Sequence, residues 1–131
     1  MRALGGPEDQ LGLGRLAGLA RFQIDQFEGA EAELILKAAE GAHLIACDER
    51  GTTFSSRAFA DHIALLRDRG ERRLAFAIGG ADGLDDSVRA VAASTLAFGP
   101  QTWPHALARV MAAEQIYRAV TILGGSPYHR D

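Results

Sequence analysis

Two glycine-bearing stretches stand where chemistry is most readily placed: Ile78-Gly79-Gly80-Ala81-Asp82-Gly83-Leu84 and Gly99-Pro100-Gln101-Thr102-Trp103-Pro104-His105. Each follows a run that reads as a strand, and α/β folds bind ligands outside the carboxyl ends of their strands. Glycine admits main-chain N–H and C=O groups close to a ligand, which suits an apolar slot for a flat heterocycle. Taken singly, Gly80 and Gly99 read as residues of tight strand-to-helix turns. The familiar alternatives fail on spacing. Gly79 to Gly83 lacks the G-x-G-x-x-G fingerprint, no lysine follows as in a P-loop, and there is no G-x-S-x-G elbow. His43, His62, His105 and His129 are scattered without metal-ligand spacing, so no metal is expected, and His62 reads as a surface residue of a helix. Glu114 and Arg118 stand four apart in the orientation of an ordinary helical ion pair.

The chain has 131 residues, 47% of them hydrophobic and 24% charged, which suits one globular domain over 1–131. Its single Cys47 has no internal disulfide partner, which favours a reducing, cytoplasmic compartment. No apolar run approaches the ~20 residues of a membrane span, and the opening residues do not make a secretory signal. A formal net charge of −3 argues against coating nucleic acid by bulk attraction, so any RNA contact must be local. Arg67, Arg69, Arg72 and Arg73 cluster, but Asp68 and Glu71 lie among them, as in a solvated helix end.

The elements that must position these residues follow from periodicity. Leu16 to Leu19 offers a short helical stretch. Phe22 and Ile24 alternate with Gln23 and Asp25, as in a half-buried strand. Ala30 to Glu40 predicts a helix with Ala32, Leu36 and Ala39 on one side, ended by Gly41. His43 to Cys47 is an unbroken apolar strand, followed by the turn Asp48-Glu49-Arg50-Gly51. Ser55 or Ser56 caps a helix with Phe59, Ile63 and Leu66 inward, closed by Gly70. Leu74 to Ile78 is again continuously apolar, the mark of a parallel strand buried on both faces. Asp85 or Asp86 caps a helix over Val88 to Ala93, and Leu96 to Phe98 predicts a fourth strand. Pro104 suits the first turn of a last helix whose stripe is Leu107, Val110, Met111, Tyr117 and Val120. The alternation implies α/β architecture: a mostly parallel sheet with helices on both faces.

The ordered set Asp48-Glu49-Arg50-Gly51, Ile78 to Leu84, Thr102-Trp103-Pro104-His105, Arg109-Val110, Glu114-Gln115-Ile116-Tyr117-Arg118-Ala119 and Pro127-Tyr128-His129-Arg130-Asp131 resembles the RlmH family, over about Ile35 to Asp131. These are SPOUT-superfamily methyltransferases acting on the N3 atom of a pseudouridine in 23S ribosomal RNA, within the large subunit or assembled ribosome. The resemblance implies a SPOUT-type doubly wound sheet whose C-terminal part threads a trefoil knot, a homodimer, and S-adenosylmethionine as cofactor. On the same analogy the cofactor touches Cys47, Gly80, Gly99, Pro100, Gln101, Thr102, Trp103 and Pro104. Arg118 would stabilise the developing anion, His129 or an outside water would accept the proton, and Tyr128 and Arg130 would face the RNA or a partner. The chain departs from the family in two places. The usual opening strand ending in Ala-Val-Gly, with its following helix, is missing or shortened, and Pro100, Gln101 and Cys47 replace residues customary at the cofactor loop. Those departures leave an alternative: a noncatalytic relative working as a dimeric RNA- or ribosome-associated module.

Overall fold

The computed structural model describes residues 23–79 and 83–125. The expected helical stretch around Leu16, Phe22, Gly80 and the tail from Pro127 lie outside them. Four strands, β1 (Gln23–Glu28), β2 (His43–Cys47), β3 (Arg73–Ile78) and β4 (Ser94–Leu96), form one parallel sheet in the order β1-β3-β2-β4. The helices are α1 (Ala32–Ala38), α2 (Ser56–Asp68), α3 (Asp86–Val91) and α4 (His105–Gly124). The register pairs Glu28 and Cys47 with Ile78, and Leu96 with Cys47, so all four strands end in one row. That row is the floor on which a site can be built.

β3 is central, and its apolar run is continuous because both faces are covered. Leu74, Phe76 and Ile78 enter the core beneath α2 and α4, whereas Ala75 and Ala77 join Phe27, Ile35, Leu44 and Val88 beneath α1 and α3. Small alanines on that second face let two short helices approach closely. Ser55 Oγ accepts from the Ala58 N–H at 3.0 Å and starts α2, which buries Phe59, Ala60, Ile63 and Leu66. Ser56 Oγ donates to Gln115 Oε1 at 2.8 Å and ties α2 to α4. Asp85 caps α3, accepting from the Ser87 N–H and hydroxyl at 2.9 and 2.7 Å. The Arg cluster behaves as a solvated edge: Arg73 donates to the carbonyls of Ala38 and Glu40, satisfying the end of α1, and Arg67 pairs with Asp68.

Several expectations need correction. In α1 the deeply buried anchor is Ile35, with Leu36 only half-buried. β4 begins at Ser94 rather than Leu96, because Ser94 and Thr95 pair along β2 while Phe98 already turns away; Ala97 adds a bridge to Thr53. α3 runs two residues earlier than expected. The stripe of α4 is mis-phased. Its buried residues are Ala112, Ile116, Ala119, Val120 and Thr121, while Leu107 and Val110 are 44% and 55% exposed, and Met111 and Tyr117 are half-buried.

His62 is not a free surface residue. His43 Nε2 and His62 Nε2 lie 2.6 and 3.1 Å from Ser94 Oγ, and Phe54 stacks on His62 with ring centres 5.3 Å apart. Desolvation lowers both imidazoles below their ordinary range. For His43, Glu71 works against that shift, and His62 and Arg69 add to it; for His62, Arg69 adds to it. A hydroxyl between two neutral imidazoles donates to one and accepts from the other, an arrangement that double protonation breaks. Because the folded form favours neutral rings, the unfolded chain binds protons first as the pH falls through ~6.5, and stability drops with it. Urea titrations between pH 7.5 and 5.5 should show that loss, with a shallower slope in His62→Gln; parallel slopes would refute the assignment.

Candidate functional site

A cavity of about 660 Å³ opens over the carboxyl ends of the strands. Its floor is Cys47, Ile78, Leu96 and Ala97, its sides are the 48–50 turn and the segments at Gly79 and Gly83–Leu84, and its rim is Gln101 to His105. The parallel register creates this place, because strands ending in one row leave their following loops to diverge around a crevice.

Gly79 is what brings the β3 wall together. A Cβ built on it would lie 2.4 Å from the Gly83 carbonyl carbon and 2.6 Å from the Leu84 nitrogen, a backbone approach only glycine permits. Gly83 itself has φ 80°, in the left-handed region. Gly51 plays a similar part beneath the opposite wall, where a Cβ would stand 3.0 Å from the Asp48 carbonyl oxygen and the Leu96 nitrogen.

Charge is arranged around these turns. Asp48 Oδ1 accepts from the Arg50 N–H at 2.9 Å and Nε at 3.2 Å, and Asp48 Oδ2 accepts from Arg50 Nη2 at 3.2 Å and Arg89 Nη1 at 3.3 Å. Arg89 also donates to the Leu84 carbonyl at 2.7 Å and to Asp86. The Asp48 side chain is only 9% exposed. Burial would push its carboxyl up, but the hydrogen bonds from Arg50 and the charges of Arg50 and Arg89 outweigh this and hold it below the usual carboxylate range. Asp48 is therefore a fixed anion orienting two guanidinium groups along one wall. On the rim, Thr102 donates to Glu49, joining the 48–50 turn to the 98–104 loop, and Trp103 Nε1 donates to the Phe98 carbonyl at 3.2 Å, folding that loop on itself. Neither Trp103 nor Gln101 fills the cavity.

Of the residues singled out in the sequence, Cys47, Gln101, Thr102, Trp103 and Pro104 come together on the cavity wall. Gly99, with φ 100°, and exposed Pro100 shape the loop but do not line the cavity. Arg118 lies farther along α4 and bonds Glu114 at 2.7–2.8 Å, the ion pair its spacing foretold. Gly80, Tyr128, His129 and Arg130 lie outside the described residues. Cys47 lines the floor as a buried thiol, its pKa pushed up to about 12 by burial, so it packs rather than attacks. The structure adds Asp48, Glu49, Arg50, Gly79, Arg89 and His105. The first three were visible as a charged turn, whereas nothing in the sequence tied Arg89 to it. Among the described residues no group of three or more His, Cys, Asp or Glu is placed to hold a metal ion, and no helix is long and apolar enough to cross a membrane.

Comparison with known proteins bears on this geometry. A family model described as "Predicted SPOUT methyltransferase" matches residues 17–129. The chain is 67% identical over 104 residues to a protein of Caulobacter sp. (strain K31) named "Ribosomal RNA large subunit methyltransferase H", covering 79% of this chain and 68% of that one. It is 59% identical over 124 residues to a protein of the same name from Phenylobacterium zucineum, covering 90% and 80%. A third of that name, from Cereibacter sphaeroides, is 55% identical over 125 residues, covering 89% and 80%.

The backbone contact at Gly79 yields a direct test. Gly79→Ala should destabilise the fold by ~1–3 kcal/mol, as overpacking against rigid neighbours does, measured as a lowered urea midpoint. An unchanged midpoint would mean that the β3 turn relaxes freely and does not define the wall.

Proposed function

Because the chain belongs to the SPOUT methyltransferase family, we propose that it transfers a methyl group from S-adenosylmethionine to the N3 atom of a pseudouridine in 23S ribosomal RNA. The observation that carries this reading is the cavity where four parallel strands end, walled by both glycine-bearing loops. Its volume lies in the range of small-molecule and cofactor sites. Its chemistry also fits the cofactor: an apolar floor of Ile78, Leu96 and Ala97 suits the adenine ring, backbone at Gly79 and Gly83 is free of side chains, and the polar side chains of Glu49, Arg50 and Thr102 suit hydroxyl, carboxylate and ammonium groups. Bound there, the cofactor would supply an electrophilic methyl on a sulfonium.

The residues of the chain do the rest. Glu49, Thr102 and Trp103 hold the rim, and the loops exclude water and fix the reacting partners, an effect worth up to ~7–11 kcal/mol in a well-oriented displacement. Arg118, outside the cavity of its own subunit, would reach the base across the dimer and stabilise negative charge developing on it, and Tyr128, His129 and Arg130 would face the RNA or the second subunit. The reading includes a trefoil knot, a homodimer and action in the cytoplasm on the large subunit or assembled ribosome. What supports the dimer is apolar exposure on the first turns of α4, where Leu107 and Val110 are 44% and 55% exposed, with Trp103 38% exposed just before the helix. With a net charge of −3, RNA must be held by local contacts, and a second subunit would add to them.

Calorimetric titration with S-adenosylmethionine should give saturable heat, and large-subunit particles lacking the modification should take up one labelled methyl group. No heat at millimolar cofactor would overturn the enzyme reading in favour of a noncatalytic RNA- or ribosome-associated module. Arg118→Ala should lower methylation on the order of 10²-fold, the loss seen when one donor to a developing anion is removed, with cofactor affinity unchanged. Undiminished turnover would take Arg118 out of the site.

A further inference from the structure

Strand β1 ends beside the cavity, and its last residue carries a carboxylate that the sequence gives no reason to notice. Side chains alternate along a strand, so Glu28 shares the face of Ile24, the face covered by α4. Glu28 Oε2 lies 3.4 Å from His105 Nε2 and Glu28 Oε1 lies 3.7 Å from Arg109 Nε. The Glu28 side chain is 19% exposed, so this interaction is only partly screened by solvent. His105 lines the cavity, and the pair therefore joins a half-buried carboxylate to an imidazole on the cavity rim.

We propose that His105 accepts the N3 proton of the target base and that Glu28 is the positioning residue holding its imidazole. The proposal rests on the methyltransferase reading above. An imide nitrogen that carries a proton has its electron pair delocalised into two carbonyls, and it becomes a good nucleophile on losing that proton. Glu28 lies on the Nε2 side of the ring, so the tautomer that carries its proton there leaves Nδ1 as the acceptor, and the carboxylate favours that tautomer. The N3–H bond breaks, its proton goes to Nδ1, and its electron pair forms the new bond to the methyl carbon. The carbon–sulfur pair stays on sulfur, which leaves as a neutral thioether. Glu28 then faces an imidazolium, while Arg109 balances the carboxylate beforehand. The other charged groups around the cavity are Asp48, Glu49, Arg50 and Arg89. The last two are held by Asp48, a pairing that leaves Glu28 the carboxylate in contact with His105 among the described residues.

Single-turnover methylation at saturating cofactor, followed across pH, tests the assignment alongside calorimetry of S-adenosylmethionine binding and thermal melting. His105→Gln should lower the rate by ~10²–10⁴-fold and abolish its fall on the acid side, with cofactor affinity and melting unchanged. Added imidazole should restore turnover in His105→Gly. Glu28→Gln, which keeps shape and removes charge, should lower the rate and alter the pH profile, and Glu28→Asp should recover part of the loss. Turnover of His105→Gln at the unaltered rate, or with the same pH profile, overturns the proposal, as does loss of the acid-side fall in His129→Ala instead. Absence of cofactor binding by the unaltered chain would overturn the methyltransferase reading and this proposal with it, whereas retained binding with unaltered turnover in His105→Gln overturns this proposal alone.

Discussion

The backbone contact at the end of β3 governs the site more than any side chain does. Gly79 passes so close to Gly83 and Leu84 that a single carbon would force them apart. That closeness places the Leu84 carbonyl where Arg89 reaches it, brings Arg89 to Asp48, and leaves Asp48 to hold Arg50. A turn made of main chain thus holds Arg89, and through Asp48 reaches Arg50 on the other wall of the crevice. A longer loop would lose the coupling between the β2 and β3 ends.

The two ends of the sheet use polar groups differently. At the amino end, His43, His62 and Ser94 satisfy one another within the fold, and desolvation keeps the imidazoles neutral. At the carboxyl end, charges are paired but face a cavity. Asp48 keeps its ionised form because two arginines oppose the cost of burial. Buried polar groups tolerate low dielectric only when their hydrogen bonds are met, so the Asp48 network is as much a structural requirement as a binding surface. Removing Arg50 or Arg89 would leave the Asp48 carboxyl, 9% exposed, with one partner fewer to offset that cost.

Much of the fold was legible because its signals are local. The unbroken runs His43–Cys47 and Leu74–Ile78 are parallel strands covered on both faces, Ser55 caps α2, and Gly41 and Gly70 take positive φ after the helices they end. The crevice was legible as two glycine-bearing loops, of which Gln101 to Pro104 line it. What escaped depends on contacts distant in sequence. Ser94 meets His43 across fifty-one positions and His62 across thirty-two, and no periodicity announces that. Gly79 and Gly80 are equivalent as sequence, because the chain does not reveal which of two adjacent glycines another backbone will touch.

The mis-phased helix shows the same limit and explains it. Reading α4 by its large apolar residues puts Leu107 and Val110 inward, which requires His105 and Arg109 to face solvent. In the structure, His105, Arg109, Ala112, Ile116 and Ala119 run down one face at spacings of four, three, four and three. The upper part of that face is ionic, meeting Glu28 at the end of β1, and the lower part is apolar, meeting α2 and the sheet. One helical face thus serves the cavity rim at its first turns and the core beyond them. The alanines are what allow this, since they bring α4 near enough for its first turn to reach a carboxylate on the edge strand. With the charged face turned inward, Leu107 and Val110 are left on the outer side, so the geometry that brings His105 to Glu28 also exposes apolar side chains.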